Sequence, residues 1–327
     1  MAEMSVGDFL AEHGLAGAKR VALAGDASAR RYWRLPGHGL LVMEHRADPR
    51  SVGRFALLST HLQDLGLSTP EVKGLAGPLA LIEDFGDATY TDRLNRGRDP
   101  EPLYSAAVDA LLALHGAPAT TAVDRPVLDL DAYIELLDLF SDWFAPAVAP
   151  PDFDRVGFAE TFRMLWASVL TTIAGREETL VLRDFHAGNL IHLPERDGVR
   201  QVGLLDFQDA VIGPREFDLV SLLQDARRDI DPGLEERMTA RYAAGRPGAE
   251  AEIRRRYPIL AGVRHCRVLA VFTRLWLRDG KAGYLRHMDR VAGQLSRALA
   301  TEDLAEIGAF LDESLPGWET RAADLGR

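Results

Sequence analysis

Three side chains near the middle of the sequence have the types and spacing that phosphoryl transfer needs. The segment Leu180-Val181-Leu182-Arg183-Asp184-Phe185-His186-Ala187-Gly188-Asn189-Leu190 sets a carboxylate and a carboxamide five residues apart in a loop. Seventeen residues beyond Asn189, the run Leu204-Leu205-Asp206-Phe207-Gln208-Asp209 places a second carboxylate at the end of an apolar strand. Moving a phosphoryl group onto a hydroxyl calls for one carboxylate to accept the hydroxyl proton, here Asp184. It also calls for a second carboxylate and an amide oxygen, here Asp206 and Asn189, to hold Mg²⁺ on the phosphates. Oxygen donors suit that hard cation. Taken singly, Asp and Asn are equally the residues that cap and turn loops; the paired spacing is what points to chemistry.

Asp-x-x-x-x-Asn, a short strand and then Asp-Phe is the spacing of a kinase catalytic loop and metal loop. On these residues the chain resembles the aminoglycoside phosphotransferase and choline kinase superfamily. That resemblance implies an α+β, protein-kinase-like bilobal fold with a small antiparallel-sheet N-lobe and a larger, mainly helical C-lobe. It implies Asp184 as catalytic base and Asn189 and Asp206 as metal ligands. Asp218, in Gly213-Pro214-Arg215-Glu216-Phe217-Asp218-Leu219, would buttress the catalytic loop, with Arg183 and His186 in supporting places. Leu182 departs from the family pattern, which often has histidine two residues before the base. His186 matches the second histidine of the pattern and reads as a core residue satisfying backbone groups in preference to a proton carrier.

Further runs are similar to the bacterial cell-wall anomeric sugar kinases, which act on N-acetylmuramate and N-acetylglucosamine. They are Leu23 to Ser28 with Arg30 to Leu35, Leu81 to Asp87, Asp206 to Ala210, Asp218 to Leu223, and Arg278 to Leu285. The similarity extends from about residue 20 to about residue 300. It implies an ATP- or GTP-dependent, Mg²⁺-requiring kinase that makes a sugar 1-phosphate for cell-wall recycling in the cytoplasm.

The stretch from Gly25 to Arg31 lies where a nucleotide-covering hairpin belongs. Gly25, Ser28 and neighbouring amides can donate to phosphate oxygens, and Arg30, Arg31 or Arg34 can add charge; an ordinary hairpin turn is the alternative. Glu83-Asp84-Phe85 is the expected hinge, pairing its backbone with the purine edge. The strand lysine of the kinase pattern is absent, because Leu40-Leu41-Val42-Met43-Glu44 has Met or Glu in its place. Three explanations stand open: an arginine substitutes, the site leans on Mg²⁺ alone, or the chain is a degenerate, non-catalytic binding module. For the acceptor, Trp143, with Phe140 nearby, and Arg278 and Asp279 offer an aromatic platform and polar groups for a sugar. Helix packing is the competing reading for Trp143 and Phe140.

The elements that must position these residues follow from periodicity. The N-terminal seventeen residues read as a short surface helix, with Glu3, Asp8 and Glu12 interrupting any signal-peptide apolar run. Residues 19–45 read as an antiparallel meander around turn signals at Gly25-Asp26 and Pro36-Gly37. Val52, Phe55, Leu58 and Leu62 recur at helical spacing within 51–65, and strands are expected at 71–75 and 78–83. Beyond Asp84-Phe85-Gly86-Asp87 the pattern turns helical, which sets an expected boundary between residues 1–85 and 86–327. Helices are expected at 102–115, 128–144, 153–174, 215–228, 233–244, 250–278 and 284–312, and short apolar segments at 179–182 and 201–206.

Composition narrows the classes. With 327 residues, 47% of them apolar, the chain can bury one large core or two modest ones. A formal charge of −11 argues against nucleic acid as a partner. Cys266 is the single cysteine, so there is no disulfide framework or Cys-rich zinc site, and a reducing compartment is expected. No uncharged apolar run approaches the ~20 residues that span a bilayer. Rival functions are an aminoglycoside or other amino-alcohol kinase and the non-catalytic module.

Overall fold

The hairpin that begins the sheet is set by its turn. Arg31–Leu35 and Leu40–Glu44 are joined by Pro36-Gly37-His38-Gly39, and Gly37 takes φ +83°, a left-handed conformation that costs a residue with a Cβ ~1 kcal/mol or more. The computed structural model describes residues 4–23 and 29–326. In chain order the strands are β1 (Val21–Ala22), β2 (Arg31–Leu35), β3 (Leu40–Glu44), β4 (Val72–Ala76), β5 (Leu79–Glu83), β6 (Thr179–Val181), β7 (Leu190–His192), β8 (Val202–Leu204) and β9 (Val211–Gly213). The α-helices are α1 (Val6–Glu12), α2 (Pro49–Asp64), α3 (Tyr90–Asn95), α4 (Pro100–Gly116), α5 (Leu130–Leu139), α6 (Ala145–Val148) and α7 (Arg155–Leu170). They continue with α8 (Glu216–Leu223), α9 (Pro232–Ala244), α10 (Glu250–Asp279), α11 (Met288–Leu299), α12 (Ala305–Ser314) and α13 (Trp318–Leu325).

Two compact units result, one of residues 1–123 with 182–210, the other of 124–181 with 211–327. This division differs from the expected break after residue 85. The first unit runs on through α3 and α4 and takes in both chemistry-bearing loops, because backbone bonds fasten them there: Leu204 N–H donates to Ser68 O at 2.8 Å and His192 N–H to Ala88 O at 2.9 Å.

In the first unit an antiparallel sheet runs in the order β1-β2-β3-β5-β4. Helix α1 is capped by Ser5, whose Oγ accepts from Asp8 N–H, and it buries Val6, Phe9 and Leu10 against Leu35, Val42, Leu79 and Leu81. The helix expected at the surface is therefore a packing element: its acidic residues face water while its apolar side covers one face of the sheet. Helix α2 starts at Asp48, which accepts from Ser51 N–H, with Pro49 in the first turn, and it buries Val52, Phe55, Leu58 and Leu62. Phe55 stacks on Phe207 with ring centroids 5.0 Å apart, so α2 anchors the loop that carries Asp206.

The second unit is built around the 30-residue α10. Phe140, Phe162 and Phe158 stack in series at 5.1 and 5.5 Å, with Phe310 against Phe158 at 5.2 Å. The helix expected over 128–144 changes at Phe140–Phe144 into a π-helical turn. The helix expected over 284–312 is broken: Thr301 is extended (ψ 155°) and caps a short 3₁₀ turn before α12. Its Oγ1 donates to Ala298 O at 2.7 Å, closing off α11.

Replacing Phe207 by Ala is expected to cost ~3–5 kcal/mol of unfolding free energy, measured by urea denaturation. A loss below ~1 kcal/mol would remove the Phe55–Phe207 stack as the anchor of the loop.

Candidate active site

Among the described residues only two non-glycine residues have positive φ, Arg183 at 70° and Asp206 at 58°. Each such conformation costs of order 1–3 kcal/mol and persists only where its surroundings over-determine it. One residue precedes Asp184 and the other is the second carboxylate itself. The loop of residues 182–189 is wound on its own backbone: Asp184 N–H donates to Leu182 O (2.9 Å), His186 N–H to Asp184 O (3.1 Å) and Asn189 N–H to His186 O (2.8 Å). Thr91 N–H, at the start of α3, donates to Ala187 O at 3.1 Å. His186 is buried, and its Nδ1 accepts from Gly188 N–H at 3.2 Å, the backbone-satisfying place expected of it.

Asn189 and Asp206 are brought side by side by the hairpin of β7 and β8. Leu190 pairs with Leu204, and Leu205 N–H donates to Asn189 O at 3.0 Å. Asn189 Nδ2 donates to Asp184 O at 3.0 Å, which fixes the carboxamide and leaves its oxygen as the acceptor end. Asp206 Oδ1 accepts from Arg30 Nη1 at 2.8 Å and from Gln208 Nε2 at 2.9 Å. The same Gln208 nitrogen donates to Asp209 Oδ2 at 3.1 Å, and Arg30 Nη2 lies 3.6 Å from that oxygen. This donor set fits Mg²⁺: Asp206 and Asn189 would give hard oxygen ligands, the phosphates and water completing the coordination.

The three arginines considered for the phosphates separate. Arg30, with its side chain only 12% exposed, faces the loop that carries Asp206. Arg34 is spent elsewhere, forking onto Asp84 (2.6 and 3.1 Å) and Asp87 (2.7 and 2.8 Å). These hydrogen bonds hold the Asp87 carboxyl below the usual range. Arg31 is exposed and sits opposite Glu44 in the β2–β3 register, on the other face of the sheet from Tyr32. Gly25 and Ser28 lie outside the described residues.

At the expected hinge, Glu83 N–H donates to Glu71 O and Asp84 N–H to Gly39 O, both at 2.9 Å, so these two amides are already paired within the protein. Glu83 is ion-paired to Arg196 at 2.6 Å, and that guanidinium lies over the Phe85 ring at 4.9 Å. The ring packs against Gly203, where a Cβ would come within 2.9 Å of it, so Phe85 is a structural wedge through its side chain.

The remaining residues belong to the second unit. Asp218 is fully buried in α8, Phe140 is a core residue, and Trp143 is half-buried in the π-helical turn. Arg278 and Asp279 end α10 as an exposed pair, Nε to Oδ1 at 2.7 Å and Nη2 to Oδ2 at 2.9 Å. Arg278 thereby draws Asp279 below the ordinary carboxylate range. Five residues of the first unit's site were not picked out as site residues in the sequence: Tyr32, Arg54, Arg196, Gln208 and Asp209. Gln208 and Asp209 are part of the Asp206 to Ala210 run and Tyr32 of the Arg30 to Leu35 run; Arg54 and Arg196 carry no local signal.

The profile of the phosphotransferase enzyme family (APH) matches residues 19–254. The chain is 34% identical over 347 aligned positions to a Caulobacter vibrioides protein named N-acetylmuramate/N-acetylglucosamine kinase, covering 94% of this chain and 95% of that one. An ADP-bound aminoglycoside phosphotransferase, APH(2'')-Ib, superposes with TM-score 0.61 at 17% identity over 91% of this chain and 98% of the other. A choline/ethanolamine kinase family protein from Mesorhizobium loti superposes with TM-score 0.60 at 16% identity, over 93% and 97%. These likenesses show the protein-kinase-like α+β fold.

Asp206→Ala is expected to abolish Mg²⁺-dependent nucleotide binding, since the neutral oxygen of Asn189 is a poor sole ligand for a hard dication. Calorimetric titration with Mg·ATP measures this, and an unchanged affinity would move the metal elsewhere.

Proposed function

Because the chain belongs to the phosphotransferase enzyme family, we propose that it is an Mg²⁺- and ATP-dependent kinase of N-acetylmuramate and N-acetylglucosamine that acts on the anomeric hydroxyl to give the sugar 1-phosphate. The observation that carries the substrate is the similarity, end to end, to the Caulobacter kinase.

In this reading the Asp184 carboxylate accepts the proton of the acceptor hydroxyl as its oxygen bonds to the γ-phosphorus and the bond from phosphorus to the bridging oxygen breaks, releasing the nucleoside diphosphate. Bound Mg²⁺ would neutralise phosphate charge at Asp206 and Asn189. Residues 1–85 carry the proposed nucleotide-covering sheet of the first unit. Trp143, Arg278 and Asp279 are the candidate acceptor contacts, and Asp218 and Arg183 the candidate loop supports. The cytoplasm suits such a reaction: the single cysteine is a buried thiol, and no helix among the described residues is long and apolar enough to cross a membrane.

An amino-alcohol or aminoglycoside acceptor is the second reading, favoured only by the solved structures of like fold. Their identities of 16–17% support the fold alone.

Asp184→Asn is expected to bind Mg·ATP nearly as wild type while turnover falls ~10²- to 10⁴-fold, the scale of a positioned general base. Turnover within a few-fold of wild type would take Asp184 out of that role. For the substrate, incubation with Mg·ATP and a panel of N-acetyl sugars, choline and aminoglycosides, with phosphorus and proton NMR of the product, should show phosphate on O1 of an N-acetyl sugar. Phosphate on O6, or turnover of aminoglycosides only, would refute the anomeric assignment.

A further inference from the structure

A protein kinase holds its phosphate-binding strand lysine with a glutamate from the helix behind it. Here both partners are absent. Strand β3 has no lysine, and the only carboxylate of α2 is Asp64, its last residue. The register of the sheet decides what stands in the lysine's place. Glu44 shares a face with Val42, the face covered by α1, and its carboxylate is bound to Arg46 at 2.6 Å. Met43 and its cross-strand partner Tyr32 lie on the opposite face. The residue at the expected position is therefore a buried methionine, with no charge to offer.

Charge reaches that face from another direction. The Arg30 guanidinium donates to Asp206, comes within 3.6 Å of Asp209 and interacts with the Tyr32 side chain. Asp209 is also approached by Arg54 of α2 at 4.0 Å, and Arg54 is steadied by Asp48 at 2.8 Å. Compared with the usual pair the signs are exchanged between elements: the helix contributes a cation, and the loop after β8 contributes the carboxylate. A nearly buried guanidinium must be paired, and its planar fork matches two phosphate oxygens as well as it matches a carboxylate.

We infer that Arg30 replaces the strand lysine as the cation that grips the nucleotide phosphates, and that Asp209, backed by Arg54, is the positioning carboxylate in place of the helix glutamate. The inference deepens the kinase reading above and rests on it. With Mg²⁺ held by Asp206, Arg30 would keep Asp209 and Tyr32 beside it and have donors left for phosphate.

The test compares wild type with Arg30→Met, Arg30→Lys, Asp209→Asn and the Arg30→Met/Asp209→Asn pair. ATP affinity is measured calorimetrically with Mg²⁺ and in chelator, steady-state kinetics are run against the sugar, and thermal unfolding checks the fold. Arg30→Met is expected to weaken ATP about 10- to 100-fold in both conditions, the scale of lost hydrogen bonds to a charged group. The KM for the sugar should hold, Arg30→Lys should recover part of the loss, and the double variant should bind no worse than Arg30→Met. If Arg30→Met binds Mg·ATP as well as or better than wild type, Arg30 is only a counter-ion at the metal's place and the inference falls. If Arg30→Met does not fold, Arg30→Lys with wild-type affinity and Asp209→Asn without effect would overturn it equally. A wild-type chain that binds ATP but phosphorylates no sugar removes the proposed substrate and leaves the Arg30 result readable; one that binds no nucleotide overturns both.

Discussion

Two carboxylates of one short loop, Asp206 and Asp209, sit against the Arg30 guanidinium, and much of the first unit is arranged to hold that contact. Arg30 enters just before β2 and is separated from Asp206 by 176 positions in sequence. The loop can meet it because Phe207 is clamped by Phe55 of α2, and because β8 is bonded to Ser68 as well as to β7. The left-handed backbone at Asp206 is tolerable under these restraints and would relax without them.

Arginines that serve more than one partner recur. Arg34 binds Asp84 and Asp87 together, and Arg196 binds Glu83 while lying on Phe85. In the second unit fully buried Glu216 takes Arg246 at 2.6 Å and Arg256 at 3.6 Å, and Arg256 also reaches Glu178 at 2.9 Å. Only three of the 38 basic residues are lysine. A planar guanidinium can serve two acceptors at fixed angles, where an ammonium is a point charge, so a chain of net charge −11 gains more order from arginine. Buried pairs of this kind are costly to break and contribute little net stability when intact, so their value here is in fixing geometry.

The residues of the candidate site could be picked out in the sequence because their pattern is local. Asp184 and Asn189 share one loop, and Asp206 follows after a short strand. The requirements of phosphoryl transfer fix residue types at those separations without reference to the rest of the chain. Helices α2, α4, α7, α9 and α10 and strands β2 to β5 were likewise legible, since three-to-four and two-residue periodicities and turn residues act within a few positions. Periodicity could not reveal where a continuing apolar pattern stops being one helix. Thr301 breaks the segment into α11 and α12 with its own hydroxyl, and the π-helical turn at Phe140–Phe144 keeps the same apolar face.

What the tertiary structure alone decided is which candidates meet. Arg30, Arg31 and Arg34 are of one type within five positions, and only the sheet register and the path of the chain send one to Asp206, one to solvent and one to Asp84 and Asp87. Met43 or Glu44 at the lysine's place was a question of strand face, settled by pairing with Tyr32 or Arg31. Helix α1 was legible as a helix, but its role in covering the sheet was not. The physical reason is common to all three. Propensity and periodicity are properties of neighbours in sequence, whereas charge pairing and burial depend on distances that exist only once the chain has closed on itself.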